Sequence, residues 1–542
     1  MLEEDCYMTA QYFNRQAASI FGLLPEKIAP SGRACSVYAY DENVLAGMRY
    51  YIYRQGEFSY ILPIRHISLF LFDETYHVGI LSIEAYNTDY PNLEDIKKIN
   101  DYGRRLCLPY LPRDEKRQGY ILCADEIGLV YMRNDAAAAQ ADNEQPDQEQ
   151  AGDVQIDKAW VTDYRKLIKR WDKQSARDEF YRSPQFIYGL IFGRVRLNQG
   201  EINTEQQRTE DELIDPVIND RMYLLSLIKS ERLSNMGKRV ESIIQAGDDA
   251  NLLKEQKQLY ELAFVDPTEA TCQNSHMRAK LLAEAIYNRW SDYGTLYAMT
   301  GSAFLCLTTL VNEDPNHIKD SVYRPFLTEY YLMTVLVLAQ KLSISDFADS
   351  AAKKAQPASK QGLIGNSAVM DIIDLHEKFV SWYNQVYLLE ITEQEQGVDL
   401  YNMLRRQLGI FAHMQNLREQ LSDLYAVANV NQGSRLSGIA ASFAVIAVLV
   451  DITLNATNFI APGKELDQTW WGHYVTNDPW NLLIITFLLL WAGLGWRALK
   501  QYDLRPKDFF FGWVKNLGRH GWLKAVLAVV AVFVLVQVLL GQ

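Results

Sequence analysis

The residues with the clearest chemical potential lie on one face of the apolar segment Leu436–Ile460. Steps of four and three residues along this segment select side chains that are small or polar, apart from Val448. An ionisable group such as Asp451 is costly inside a membrane span and usually faces a water-filled path. A ring of Asp451 carboxylates would attract cations, and Val448 would form an apolar constriction that closes by dewetting. The predicted pore-lining residues are Ser437, Ala441, Ala444, Val448, Asp451, Asn455 and Asn458.

Two simpler interpretations of this face stay open. Asp451 could lie at the outer membrane interface, where a carboxylate remains hydrated. The stripe of small residues could serve only close packing between helices. On the other faces, Phe443, Ile446 and Val450 suit lipid or neighbouring helices.

Arginines provide the second candidate chemistry, recognition of an anionic ligand. Arg194 and Arg196 alternate along the segment Phe186–Leu197, which we predict to be a strand, so they would share one face. With Arg33, or with the pair Arg65–His66, they could bind phosphate oxygens in the bidentate manner of guanidinium groups. Surface ion pairs are the alternative explanation for each of these arginines.

Enzymatic and metal-binding motifs are not found in the sequence. It contains no P-loop, no G-x-S-x-G and no H-E-x-x-H, and its eight histidines form no ligand pattern. Its six cysteines form no C-x-x-C pair, which argues against a zinc ribbon and a dense disulfide framework. We therefore expect neither an enzyme nor a resident metal or cofactor.

The charges of the 542 residues are unevenly distributed. Residues 1–435 carry 46 basic and 61 acidic side chains, whereas residues 436–542 carry 8 and 6. An acidic balance argues against direct nucleic-acid binding, which needs a basic face to neutralise phosphates. The C-terminal fifth therefore differs from the rest of the chain in having few charged residues and a small net positive charge.

Three apolar segments in this C-terminal part are long enough to cross a bilayer as helices: 436–460, 480–499 and 522–540. The connection 461–479 holds one basic residue, whereas Lys500 and further basic residues crowd the connection 500–521, so the first is predicted outside and the second inside. The chain opens MLEEDCYM, without a signal peptide pattern. We expect the N-terminal part in the cytosol and the protein in the inner (plasma) membrane.

Residues 1–210 are predicted to form a cytosolic α/β domain. Short alternating runs between Tyr38 and Tyr86 indicate strands of a mixed or antiparallel sheet with a turn at Phe72–Tyr76, and a helix should follow Pro91. The segment 134–157 holds seven acidic residues and no basic one, so we predict a disordered loop there.

A helical domain is predicted for 211–367 and a stalk helix for 368–435. Within the helical part we expect helices at Met277–Thr309 and Pro325–Phe347, and a small-residue loop at Ser350–Gly362. The stalk carries a heptad seam that requires partner helices. An intramolecular bundle and an oligomer are both open, and the direct path into the first span favours the oligomer. The seam residues are Ile410, Met414, Leu417, Leu421, Leu424, Ala428 and Asn431.

The predicted order is a cytosolic α/β domain, a helical domain, a stalk helix that enters the first span, a short outer connection and a second span with a basic inner end. In this order the chain resembles the CorA family of divalent-cation channels. The resemblance implies a homo-oligomer, a pentamer, in which the first span lines the pore and a divalent cation permeates. The family's Gly-Met-Asn tripeptide is absent, and Asn455-Ala456-Thr457-Asn458-Phe459 stands in its place. Together with the third span and the enlarged cytosolic part, this departure is similar to the divergent CorA-like membrane effectors associated with type III CRISPR systems.

Two functions follow as expectations from that resemblance. The first is an antiviral channel in the lipid bilayer that opens when its cytosolic part binds a nucleotide second messenger, in that branch a conjugate of S-adenosylmethionine and AMP. The second is a magnesium transporter regulated by intracellular metal. The dispersed acidic residues favour the first, because a metal sensor should show acidic clusters.

Overall fold

The computed structural model describes part of the chain in detail. The described residues are 3–24, 34–72, 78–106, 123–133, 155–165, 185–192, 221–266, 271–309, 319–361 and 366–430. They belong to two compact units: unit 1 comprises Met1–Asp349 and Lys378–Arg418, and unit 2 comprises Ser350–Glu377 and Glu419–Gln542. The three predicted membrane segments lie outside the described residues. The chain has an α+β N-terminal region and a helical C-terminal part.

The N-terminal sheet has six antiparallel strands, in the order β1-β3-β2-β5-β6, with β4 also paired to β3. The predicted strands between Tyr38 and Tyr86 are therefore confirmed, and Phe72 lies opposite Val78 across the predicted turn. The strands are β1 Ser36–Ala39, β2 Met48–Arg54, β3 Phe58–Phe72, β4 Val78–Ala85, β5 Glu126–Arg133 and β6 Gln155–Asp163.

Helices α1 (Glu3–Tyr12), α2 (Arg15–Ile20), α3 (Glu42–Leu45) and α4 (Leu93–Tyr102) accompany this sheet. Alternation along the strands buries Ile52, Ile67 and Ile127 completely in one core. The helix expected after Pro91 is α4. Tyr50 Oη donates a 2.6 Å hydrogen bond to the Gly103 carbonyl at its end.

Two predictions about this region are wrong. Residues Gln155–Asp157 do not belong to a disordered loop, because Gln155 already pairs with Arg133 in the sheet. The segment from Phe186 does not begin a strand but lies in helix α5 (Gln185–Phe192). Phe186 and Leu190, four residues apart, are both buried in the core of the sheet, which is the periodicity of a helix.

A second sheet follows where a helical domain was predicted. Strands β7 (Leu224–Lys229), β8 (Ile286–Tyr287), β9 (Leu296–Met299) and β10 (Ala303–Thr308) form it in the order β7-β10-β9-β8, with β7 and β10 parallel. The helix predicted for Met277–Thr309 thus ends with α9. Helices α6 Glu231–Lys238, α7 Val240–Ile244, α8 Ala250–Phe264 and α9 Ser275–Ala285 share its hydrophobic core.

Long helices form the rest of the described chain: α10 (Lys319–Leu327), α11 (Glu329–Gln361), α12 (Asn366–Val386), α13 (Glu395–Gln407) and the helix at 410–430. The small-residue loop predicted from Ser350 is helical up to Gln361, since alanine and lysine favour helix. The candidate membrane helix of the described residues, Val322–Ala355, has 72% of its apolar window buried in protein.

The predicted stalk 368–435 is interrupted twice in its described part. Residues 387–394 are not helical, and α13 ends at Gln407, two residues before Gly409, whose φ of 70° is left-handed and favours glycine. The seam beyond this break is buried in the single chain at Ile410, Met414, Leu417, Leu421 and Ala428. It packs intramolecularly, so it gives no support of its own to an oligomer.

The N-terminal helices are attached to a distant part of unit 1. The Asn14 backbone N–H donates to the Ile391 carbonyl at 2.7 Å, and Asn14 Nδ2 donates to the Glu390 carbonyl at 2.7 Å. The Thr392 hydroxyl donates to the Tyr12 carbonyl. A Cβ on Gly397 would overlap the Tyr12 hydroxyl, so only glycine permits this approach.

Candidate functional site

Only two of the predicted ligand-binding residues can be placed. Arg65 and His66 lie on β3, whereas Arg33, Arg194 and Arg196 lie outside the described residues. The predicted pore-lining residues, from Ser437 to Asn458, also lie outside them. A phosphate site built from all five residues therefore stays a prediction.

Arg65 lies at an irregularity of the strand pair, where the register shifts between Ile64 and His66. Its Nη1 donates a 2.6 Å hydrogen bond to the Tyr323 hydroxyl and lies 3.6 Å from the Glu84 carboxylate. Lys229 Nζ is 4.1 Å from the centre of the same Tyr323 ring. Arg65 thus makes the surface ion pair that was the alternative interpretation.

His66 adds little positive charge beside Arg65. Burial lowers the pKa of this imidazole from its ordinary value, so the ring is predominantly neutral at pH 7. Burial raises the pKa of Glu84, although Arg65 acts in the opposite direction. Since the Arg65 side chain is about half exposed and shared with Glu84, this cluster is a weak anion site.

A stronger candidate is Arg405, near the end of α13. Its side chain is only 1% exposed, and three aromatic rings surround the guanidinium. The guanidinium carbon lies 4.7 Å from the centre of the Tyr387 ring, 5.2 Å from Tyr401 and 4.4 Å from Phe411. All of these residues belong to unit 1. We call this arrangement the Arg405 cage.

The guanidinium of Arg405 is incompletely paired within the part of the chain that the structure describes. There, Nε and Nη2 are buried without a hydrogen-bond partner, and no carboxylate forms an ion pair with Arg405. Burial raises the pKa of Tyr387 even though Arg405 lowers it, and it raises the pKa of Tyr401 to about 12. Both phenols are therefore neutral at physiological pH and cannot balance the charge.

A row of stacked groups continues from the cage. The Tyr383 and Tyr387 rings stack with centres 5.0 Å apart, and the Arg418 guanidinium carbon lies 5.6 Å from the centre of the Tyr383 ring. Arg418 is exposed. For the buried Arg405, cation–π contacts stabilise the desolvated guanidinium by about 2 kcal/mol, which is less than the cost of burying an unpaired charge.

Sequence reasoning missed the Arg405 cage. One of its contacts is local, because Tyr401 and Arg405 are four residues apart on one helix face. The others depend on the chain turning back after Val386 and again at Gly409, which the predicted continuous stalk did not contain.

A metal site and a surface groove are the two other candidates, and neither is as well supported as the Arg405 cage. Within the described ranges, no group of three or more His, Cys, Asp or Glu side chains is arranged to hold a metal ion. An open groove of about 420 Å³ runs beside α6 and α8, and two of its charged residues already form an ion pair, with Arg239 Nη2 2.8 Å from Glu255 Oε1. Comparison of the chain with protein-family models, with curated proteins and with solved structures gives no match.

Proposed function

We propose that this protein is a homo-oligomeric membrane channel, a pentamer, opened by an anionic ligand that binds its cytosolic part. The observation that carries the proposal is the C-terminal sequence: three apolar segments, the first of which has a small and polar face that includes Asp451. Three apolar segments of membrane-spanning length within 107 residues are typical of a membrane protein and unusual for a soluble one.

The nature of the ligand is proposed from the resemblance to CorA-like effectors of type III CRISPR systems. In this proposal the ligand is a nucleotide second messenger of the S-adenosylmethionine–AMP class, and opening permeabilises the membrane during infection. The Arg405 cage supports an anionic ligand, because it offers buried guanidinium donors. It also lies just before the helix 410–430, which leads towards the first apolar segment.

Flux through reconstituted liposomes tests this function. The purified full-length protein in vesicles should release a trapped cation when the messenger is added and should stay closed with magnesium alone. Mass measurement in mild detergent should give a homo-oligomer. A protein that carries magnesium without any nucleotide would instead support the metal-regulated transporter, and a strictly monomeric protein would exclude an axial pore.

Asp451→Asn should lower cation flux on the order of tenfold at low salt. The substitution keeps the side-chain volume and removes a ring of charge that concentrates cations near the pore. The measurement compares messenger-induced flux of the variant and the wild type in liposomes of equal protein content. Asp478→Asn, in the predicted outer connection, is the control. Equal flux in wild type and Asp451→Asn would place Asp451 away from the pore.

Val448→Ser should make the channel leaky without messenger, because a hydroxyl hydrates an apolar constriction. Cells that express this variant should grow poorly even without a messenger, whereas Val448→Leu should demand more messenger than the wild type. Val450→Ser, on the other face of the segment, is the matched control. Normal growth with Val448→Ser, in cells where the activated wild type is toxic, would place the constriction elsewhere.

A further inference from the structure

The Arg405 guanidinium is positively charged and almost completely removed from water. An uncompensated charge in a protein interior carries a large desolvation penalty, which a counter-ion with good hydrogen-bond geometry offsets. The aromatic rings of Tyr387, Tyr401 and Phe411 give part of this compensation through their faces. They leave the hydrogen-bonding edge of the group unsatisfied.

The two donors without a partner among the described residues are Nε and Nη2. In a planar guanidinium these atoms lie on one edge, and their N–H bonds point in parallel. That is the geometry in which an arginine binds two oxygens of one carboxylate or one phosphate. Three rings lie within 5.2 Å of the guanidinium carbon, and the buried, unsatisfied edge defines the chemistry of a ligand.

We propose that the Arg405 cage is a buried oxyanion site, in which Nε and Nη2 bind one carboxylate or phosphate group of a small molecule. The walls of the site come from three places: Tyr387 just after α12, Tyr401 on α13, and Phe411 at the start of the helix 410–430. Phe411 is 46% exposed, so its ring is the wall of the site that faces solvent.

The position of the site gives it a regulatory consequence, which rests on the proposed channel function. Gly409 separates Arg405 from Phe411, and its left-handed backbone sets the angle between α13 and the helix 410–430. An anion on Arg405 fits beside the Phe411 ring differently in different settings of this junction, so it stabilises the setting that leaves room for it. A ligand affects a conformational equilibrium only through such a difference in affinity between two states.

Thermal unfolding of the full-length protein in detergent tests the site without any measurement of flux. Inorganic phosphate, acetate and AMP are titrated separately at constant ionic strength. At least one of them should raise the Tm of the wild type by a few degrees along a saturating curve, because a ligand that binds only the folded state stabilises it. The ranking of phosphate, AMP and acetate distinguishes a free phosphate, a nucleotide and a carboxylate as the source.

Two variants assign the effect to the edge of Arg405. Arg405→Met removes the charge while filling the cage, and Arg405→Lys keeps the charge but lacks the two parallel donors. Both should lose the anion-dependent rise in Tm, and Arg405→Met should be at least as stable as the wild type without added anion. Arg406→Met is the control, since Arg406 is the exposed neighbour on the same helix and should keep the full response.

Two results would overturn the proposal. One is a Tm response of Arg405→Lys equal to that of the wild type. The other is no response of the wild-type Tm to any of the three anions, and a lower Tm for Arg405→Met beside it would show that a carboxylate of this chain already lies on the edge. The channel is judged separately, because flux without anion binding at Arg405 refutes only the site, and anion binding without flux refutes only the channel.

Discussion

Glu261→Ala is expected to lower the free energy of unfolding of unit 1 by about 3–5 kcal/mol, the usual cost of removing one member of a buried ion pair. Lys97 Nζ, on α4, lies 2.7 Å from Glu261 Oε2, on α8, and both side chains are 5% exposed. The substitution leaves the ammonium buried with only Glu94, 2.6 Å away, as its partner. Denaturant unfolding of the full-length protein in detergent measures the loss.

Two further variants separate this buried pair from an ordinary surface contact. Glu94→Ala removes the other partner of the same lysine, but Glu94 is 59% exposed, so we expect a loss of about 1 kcal/mol or less. The double variant Lys97→Met/Glu261→Leu should recover most of the stability, because it leaves no buried charge. A double variant as unstable as Glu261→Ala would contradict this explanation.

The same pair has a defined dependence on pH. Burial lowers the pKa of Lys97, but the hydrogen bonds that its ammonium donates to Glu261 and Glu94 outweigh burial and raise the pKa above its ordinary value. The ammonium therefore contributes stability at neutral pH and up to the ordinary lysine pKa, about 10.4. The contribution is lost as the pH rises further through the pKa of the folded state.

Trp382→Ala should destabilise unit 1 by about 3–5 kcal/mol, since it removes a large side chain from a closed core. Trp382 is fully buried, and its ring centre lies 5.5 Å from that of Phe347 and 6.1 Å from that of Phe379. Denaturant unfolding again gives the change. Trp382→Phe keeps most of the volume and should cost less than about 1.5 kcal/mol. A loss for Trp382→Phe as large as that for Trp382→Ala would contradict the explanation by side-chain volume.

The sequence predicts strands β1 to β4 of the N-terminal sheet for a physical reason, whereas it does not indicate β5 and places the start of β6 in a loop. The predicted strands alternate between buried and exposed positions, as in the first part of β3, and such alternation is specific for a strand with one face in the core. Strands β9 and β10 are buried at every position, so their apolar runs look the same as a buried helix. That ambiguity explains why the second sheet was predicted as helix.

The Arg405 cage could not be predicted from the sequence, because it depends on tertiary contacts that local patterns do not reveal. The heptad pattern from Ile410 correctly indicates a buried seam, but periodicity does not say whether the partner is the same chain or another. The sequence does not predict the burial of Arg405, because charged residues on helices are usually exposed. Its burial follows from the breaks at 387–394 and Gly409, whose positions are set by packing.

The bond between Asn14 and Glu390 has a consequence for biosynthesis. It joins residues 376 positions apart, and at roughly 5–20 residues per second a ribosome needs roughly 20–75 s to make the intervening chain. During that time the N-terminal helical segment, whose residues Phe13, Ile20 and Phe21 are buried in the finished protein, lacks this attachment. The N-terminal helices thus complete their hydrogen bonds only after synthesis has passed Ile391.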